Sequence, residues 1–197
     1  MNFITKTEFT ADYELMYKDM QELINLVGWP EDTTIDGKFY SGNQLGIKYR
    51  KGAKLPLLDC TGSLYDKATQ TFTGYEHEFT EYITELPDYT RNVIQQLEFD
   101  ANVKFGRIRY MRLMPKRGLS VHLDLEQRYH YVFDTNPNAF FGEKTEGELA
   151  AKCYHIPSDG SFYRVDTTRE HFVFNGGWEP RIHLVICSSW DVPPAII

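Results

Sequence analysis

The chain has 197 residues, 42% of them hydrophobic and 15% aromatic, with a formal charge of -7. That length suits one large domain with a sizeable core, and the acidic balance argues against a general binder of nucleic acid or anionic membranes, which is normally basic. No run of about 18 apolar residues occurs, so no membrane span is expected, residues 1–13 lack an apolar signal core, and Cys60, Cys153 and Cys187, widely spaced and without CxxC, read as reduced thiols of a cytoplasmic protein.

The first predicted element is a helix over 10–27. Tyr13, Met16, Tyr17, Met20, Leu23, Ile24 and Val27 recur at helical spacing on one face, as core packing does. Thr10 is the expected cap, Asp12 and Glu14 suit the first turn, and Gly28 and Pro30 stop the helix. Residues 38–49 read as a hairpin or two short strands around Ser41-Gly42-Asn43. Residues 51–74, rich in Gly, Thr, Asp and Lys, read as a long loop with one strand at most, a lid or a partner surface. Leu86-Pro87-Asp88 opens a second helix over 88–97, with Val93, Ile94 and Leu97 inward.

From Lys104 the pattern changes to short β-rich runs at 105–114, 120–125, 129–135, 139–142, 151–156, 161–166, 171–174 and 181–188, separated by Pro-, Asn- and Gly-rich breaks. Many short strands at this spacing predict an antiparallel barrel or sandwich. The whole reads as a single domain over 1–197, mainly β, with the helices and supporting strands of 1–100 packed on the outer face of a β-core at 101–190.

Three runs in this half hold two polar residues around one apolar or aromatic residue: His122-Leu-Asp124, Arg128-Tyr-His130 and Arg181-Ile-His183. In a strand, residues two apart share a face, so each pair points one way. Five of the six histidines lie between 122 and 183. His171, in its own β-rich run and sharing a face with Asn175, supplies a third ligand candidate. Two histidines and a carboxylate on one side of a metal form the facial triad of non-heme Fe(II) oxygenases; zinc also takes such a set. Zinc hydrolysis needs a general base beside the water. The neighbours here, Arg128, His130, Asn175, Arg181 and His183, are cationic or amide and suit a small dianion. Ile182, Leu184 and Ile186 fill one face of the last strand, so Arg181 and His183 take the other. On a central strand, a covered arginine needs an anionic partner, which its planar fork can grip in two parallel hydrogen bonds.

In order and spacing these residues, with Thr135-Asn136-Pro137 and His171-x-x-x-Asn175, resemble the aspartyl/asparaginyl β-hydroxylase family and its proline 4-hydroxylase relatives. The likeness runs over 109–186. It implies a double-stranded β-helix (a jelly-roll or cupin-like barrel) and an Fe(II)- and 2-oxoglutarate-dependent dioxygenase. Such an enzyme hydroxylates a C–H of an amino acid, peptide or related small substrate, with release of succinate and carbon dioxide. Carried over by position, His122, Asp124 and His171 are the implied iron ligands, and Arg181 pairs with the far carboxylate of 2-oxoglutarate. Arg128 and His130 lie near its metal-bound end, with Asn175 and His183 close by. The family's Pro-Gly turn is here Pro115-Lys116-Arg117-Gly118. Candidate substrate contacts are Arg107, Arg109, Tyr110, Arg112 and Tyr131, with 51–74 and 136–150 as rims. Two other functions stay open on the residues: a cupin-like metal enzyme that uses no 2-oxoglutarate, and a non-enzymatic barrel that binds a small acidic ligand or a partner protein.

Overall fold

A computed structural model describes residues 2–35, 38–66, 69–145 and 147–189. They fall into two compact units, one of residues 2–13 and 111–185 and one of residues 14–110 and 186–189.

The first unit carries the β-core. Its strands are β1 (Ile4–Thr10), β2 (Arg117–His122), β3 (Arg128–Asp134), β4 (Ala139–Glu143), β5 (Lys152–Tyr154), β6 (Ser161–Val165), β7 (His171–Asn175) and β8 (Arg181–Ser188, of which 181–185 lie in this unit). One sheet runs β1-β6-β3-β8 and the other β2-β7-β4-β5. Burial alternates most clearly in β7. In β7, His171, Val173 and Asn175 are buried while Phe172 is half-buried and Phe174 exposed, so one face of the sheet is core. Phe3, Val132, Phe141, Ile156, Tyr163, Val165 and Val173 form a single cluster drawn from both sheets. Two antiparallel sheets sharing one core make a jelly-roll: the strand spacing predicts a barrel or sandwich, and the family resemblance implies this form of it.

Two features of this unit differ from expectation. Residues 4–10 form a strand, which the sequence reading missed: Thr5-Lys6-Thr7-Glu8 offers little apolar signal. The strand exists because it sits at the sheet edge, pairing Ile4 with Val165 and Lys6 with Tyr163 on β6, where only one face needs to be apolar. The break at 115–118 is also shorter than expected, since β2 already begins at Arg117. Lys116 takes the left-handed conformation at φ 56°, which favours glycine. Its ammonium donates to the Gly176 carbonyl and lies 4.0 Å from the Trp178 ring centre, contacts that offset the strained backbone.

The second unit holds the helices α1 (Tyr13–Val27) and α2 (Asp88–Ala101). α1 buries Met16, Met20 and Leu23 as the periodicity predicts. Thr10 is not its cap, because it is the last residue of β1. Gly28, at φ 72°, ends the helix and donates its N–H to the Ile24 carbonyl at 2.8 Å. Asp19, a buried carboxylate, accepts the Thr90 backbone N–H at 2.9 Å and its hydroxyl at 2.8 Å. It thereby satisfies an otherwise open donor in the first turn of α2. α2 runs past the expected Leu97 to Asn102 in the left-handed region, since the end is set by that cap and not by the last apolar residue.

Residues 38–40 pair back with 33–35, not across Ser41-Gly42-Asn43, and 48–50 pair with 79–82. The stretch 51–74, expected as loop, contains a short helix at Pro56–Asp59 and a small hairpin pairing Tyr65 with Phe72.

Arg107 and Glu76 form a buried ion pair at 2.6 Å, reinforced by the Arg107 backbone N–H on the same carboxylate at 2.7 Å. Gly106 makes room for it: a Cβ there would lie 2.3 Å from a Glu76 oxygen. Glu76→Ala leaves a 3%-exposed guanidinium without its carboxylate, so a loss of about 3–5 kcal/mol is expected, read as a fall in the urea midpoint. An unchanged midpoint would contradict a structural role for the pair.

Candidate active site

All eight site residues expected from the sequence lie in the first unit. Strands β2 and β7 pair Arg117 with Asn175, Gly118 with Phe174 and Leu119 with Val173; then the register shifts and His122 stands opposite His171. The shift is a bulge of one extra residue on β2. Side chains alternate with a period of two, so that one residue decides the face on which His122 emerges. With it, His122 meets His171 across the ladder, ring centres 4.3 Å apart.

Both rings are held the same way. His122 Nδ1 is 2.7 Å from the Ser120 carbonyl and His171 Nδ1 is 2.9 Å from the Arg169 carbonyl. A carbonyl only accepts, so each Nδ1 carries the hydrogen and each Nε2 presents a lone pair.

The spacing places Asp124 on the strand of His122, but in the structure β2 ends at His122 and Asp124 lies in the loop beyond. Its backbone N–H donates instead to the Thr167 carbonyl at 2.8 Å. The carboxylate divides its oxygens. Oδ1 pairs with Arg128 at 2.7 Å, and Oδ2 lies 3.6 Å from His171 Nε2, buried and without a hydrogen bond. Ligand atoms of His122, Asp124 and His171 all lie within 4.8 Å of one another. Two lone-pair imidazole nitrogens beside a buried, unsatisfied carboxylate oxygen form a donor set that fits a divalent metal.

A second cluster lies on β3 and β8. Arg181 and His183 share a face, as the i, i+2 spacing predicts, and both are buried. Arg181 Nη2 is 3.0 Å from His183 Nδ1, and His183 Nδ1 is 3.4 Å from His130 Nδ1. A guanidinium only donates, so His183 Nδ1 accepts and its hydrogen sits on Nε2, which is buried without a hydrogen bond. Arg181 also lies 4.9 Å from the Phe141 ring centre. Among the described residues it has no carboxylate partner, and burial pushes its guanidinium down to about 9. A buried cation next to a buried, unsatisfied N–H is a receptor for an anion.

Not every expected residue points into these clusters. Asn175 is fully buried and its amide is spent on the protein. It donates to the Leu113 and Glu179 carbonyls at 3.0 and 2.8 Å and accepts from Asn136 and the Gly177 N–H at 3.0 and 3.1 Å. It builds the turn from β7 to β8. Arg128 divides between Asp124 and Glu126. Tyr131 packs between Phe133 and Phe162 in the core. Arg107 belongs to Glu76, Arg109 donates to the Cys60 carbonyl at 2.9 Å, and Tyr110 is fully buried. Of the five expected substrate contacts, Arg112 alone is half-buried. The sequence reading missed Glu126, Thr167 and Arg169, which act through long-range or backbone contacts that no local spacing announces.

Burial holds His171 below the ordinary imidazole value. It holds His183 well below, with Arg181 and His130 adding to the effect. In the unfolded chain each returns to about 6.5. Below that pH the unfolded chain takes up protons that the fold resists. Stability is therefore full above about pH 6.5 and is lost as the pH falls toward the folded values, by about 1.4 kcal/mol per pH unit per histidine. Metal-free protein is expected to melt at a lower temperature at pH 5.5 than at pH 7.5. A melting temperature that holds or rises on acidification contradicts these protonation states.

The model of the Aspartyl/Asparaginyl beta-hydroxylase family matches residues 62–190. No curated protein matches the chain. Among solved structures, a prolyl hydroxylase from Trichoplax adhaerens, in complex with a hypoxia inducible factor oxygen degradation domain peptide fragment, is similar at 9% identity and a TM-score of 0.56, over 96% of this chain and 84% of that one. AviO1 from Streptomyces viridochromogenes Tue57 is similar at 13% identity and a TM-score of 0.54, over 98% and 92%. A 2OG-Fe(II) oxygenase family oxidoreductase from Burkholderia pseudomallei gives 16% identity and a TM-score of 0.44, over 55% and 61%. At these identities the likeness is one of fold. No helix among the described residues is long and apolar enough to cross a membrane.

Proposed function

The chain belongs to the aspartyl/asparaginyl β-hydroxylase family, and on that premise we propose that it is an Fe(II)- and 2-oxoglutarate-dependent dioxygenase acting on a C–H of an amino acid, peptide or related small substrate. The observation that carries this reading is the coexistence of two complementary clusters in one β-core. One is a donor set for a divalent metal at His122, Asp124 and His171; the other is an anion receptor at Arg181 and His183.

His122 and His171 would hold iron through Nε2, each ring fixed by its Nδ1–H on a backbone carbonyl, and Asp124 through Oδ2. Arg128 neutralises and orients the other Asp124 oxygen. When bound, Fe(II) with 2-oxoglutarate supplies the oxidising power: one oxygen atom of O2 goes to the substrate C–H and the other to succinate as carbon dioxide leaves. The chain contributes geometry and charge. Arg181 and the His183 Nε2–H would grip the distal carboxylate of 2-oxoglutarate beside the apolar Phe141 ring. A cupin-like enzyme without this co-substrate has no use for a buried guanidinium lacking an anion. Cys60 and Cys187 are buried thiols and Cys153 an exposed one, which supports a reducing, cytoplasmic setting.

The test is an anaerobic titration with Fe(II) and then 2-oxoglutarate, followed in the visible region, with a succinate-release screen over free amino acids and short peptides. A weak charge-transfer band that needs both additions, and succinate formed on admitting oxygen, are expected. Iron bound with neither band nor succinate overturns the 2-oxoglutarate assignment.

A further inference from the structure

The turn from β6 to β7 touches two of the three candidate ligands through its backbone. The Thr167 carbonyl accepts the Asp124 N–H at 2.8 Å and the Arg169 carbonyl accepts the His171 Nδ1–H at 2.9 Å. The turn is tied down at several points. Asp166 donates its N–H to the Phe3 carbonyl at 2.8 Å, and the buried Thr167 hydroxyl donates to the Glu126 carbonyl at 2.5 Å. At its far end the Arg169 guanidinium is paired with Glu143.

Glu143 is an unusual residue for the inside of a sheet. It is 3% exposed, stands directly opposite His171 in the β4–β7 ladder, and accepts the Tyr154 hydroxyl at 2.8 Å. His171 thus has His122 across one ladder and Glu143 across the other. A desolvated carboxylate is costly without a cation, and Arg169 supplies it. The ion pair cannot loosen without exposing that cost, so it fixes the place of residue 169, whose carbonyl sets the His171 tautomer.

We propose that the Glu143–Arg169 pair is a positioning lock for the metal centre, holding the 166–169 turn so that its two carbonyls aim Asp124 and present His171 Nε2. Neither residue is a ligand; both act through the turn. The proposal rests on the metal reading of His122, Asp124 and His171.

The test uses Co(II) as a spectroscopic probe alongside Fe(II), with affinity and ligand-field bands measured on the parent, Glu143→Gln, Arg169→Ala, Arg169→Lys and the Glu143→Gln/Arg169→Ala double variant. Circular dichroism establishes that each is folded at the temperature used. Affinity is expected to fall about 10- to 100-fold in Glu143→Gln and Arg169→Ala, the range seen when partners of metal ligands are lost. The Co(II) bands should shift, Arg169→Lys should restore most of both, and the double variant should be no worse than the weaker single. The Arg169 side chain is 40% exposed, so its removal opens no cavity, but it strands the buried Glu143 carboxylate; the double variant, which neutralises that group as well, carries the test should either single variant fail to fold. Parental affinity and bands in Arg169→Ala overturn the lock, even where the melting temperature drops. A parent that binds neither Co(II) nor Fe(II) overturns the metal reading and the lock together, whereas normal parental binding with unaltered variants removes the lock alone.

Discussion

Arg181→Ala is expected to bind Fe(II) as the parent does and to lose 2-oxoglutarate. Truncating one side of a buried charged pair costs about 2–5 kcal/mol, which corresponds to an affinity between about 30-fold and a few thousand-fold weaker. The size of the effect follows from the setting. Arg181 is 6% exposed; its guanidinium bonds to His183, lies against the Phe141 ring, and has no carboxylate partner among the described residues. Arg181→Lys should recover little, because an ammonium cannot make two parallel bonds in the same plane. Arg181→Met gives a sharper signature. It keeps much of the volume and removes an uncompensated buried charge, so the metal-free protein should become more stable while 2-oxoglutarate binding disappears. Calorimetric titration with 2-oxoglutarate on the iron-loaded variants, together with melting curves of the metal-free forms, checks both halves. An Arg181→Ala protein that binds 2-oxoglutarate like the parent refutes the anion-receptor role.

The second large effect concerns the histidines. His122→Ala and His171→Ala are each expected to lower iron affinity by more than about 100-fold, beyond what the loss of a supporting partner costs. The two should differ in stability. His171 is 1% exposed and packed near Phe3, so its truncation opens a hole in the core and lowers the melting temperature of the metal-free protein. His122 is only half-buried at the end of β2, and its truncation should leave that temperature nearly unchanged. Metal content after desalting is the readout. Stoichiometric iron retained by His122→Ala rules out its role as a ligand.

How much of this was legible in the chain depends on the range of the interaction. The eight strand runs after residue 104 are legible because β-rich composition and turn residues are local signals, and the pairing of Arg181 with His183 follows from a spacing of two. α1 was visible through its Met16–Met20–Leu23 stripe. The position of Asp124 was not: the sequence reading placed it on a strand with His122, whereas the Thr167 carbonyl, 43 residues away, holds it in the loop beyond. Asn175 drew notice as a polar residue on the right face, yet its contacts with Leu113, Asn136 and Glu179 make it a turn builder. Arg107 looked like a basic contact near a mouth because nothing nearby in sequence announces Glu76 as its partner. β1 escaped notice because an edge strand of Thr, Lys and Glu depends for its conformation on the strand it joins.

The extra residue on β2 has a consequence for variation and for engineering. Deleting one residue between Leu119 and His122 would leave every ligand type in the chain and still turn His122 toward the wrong side of the sheet. Length in that short span is therefore as strict a requirement as chemical identity, while the exposed tips elsewhere are free to grow or shrink. Anyone grafting this triad onto another scaffold has to transplant the irregularity along with the ligands.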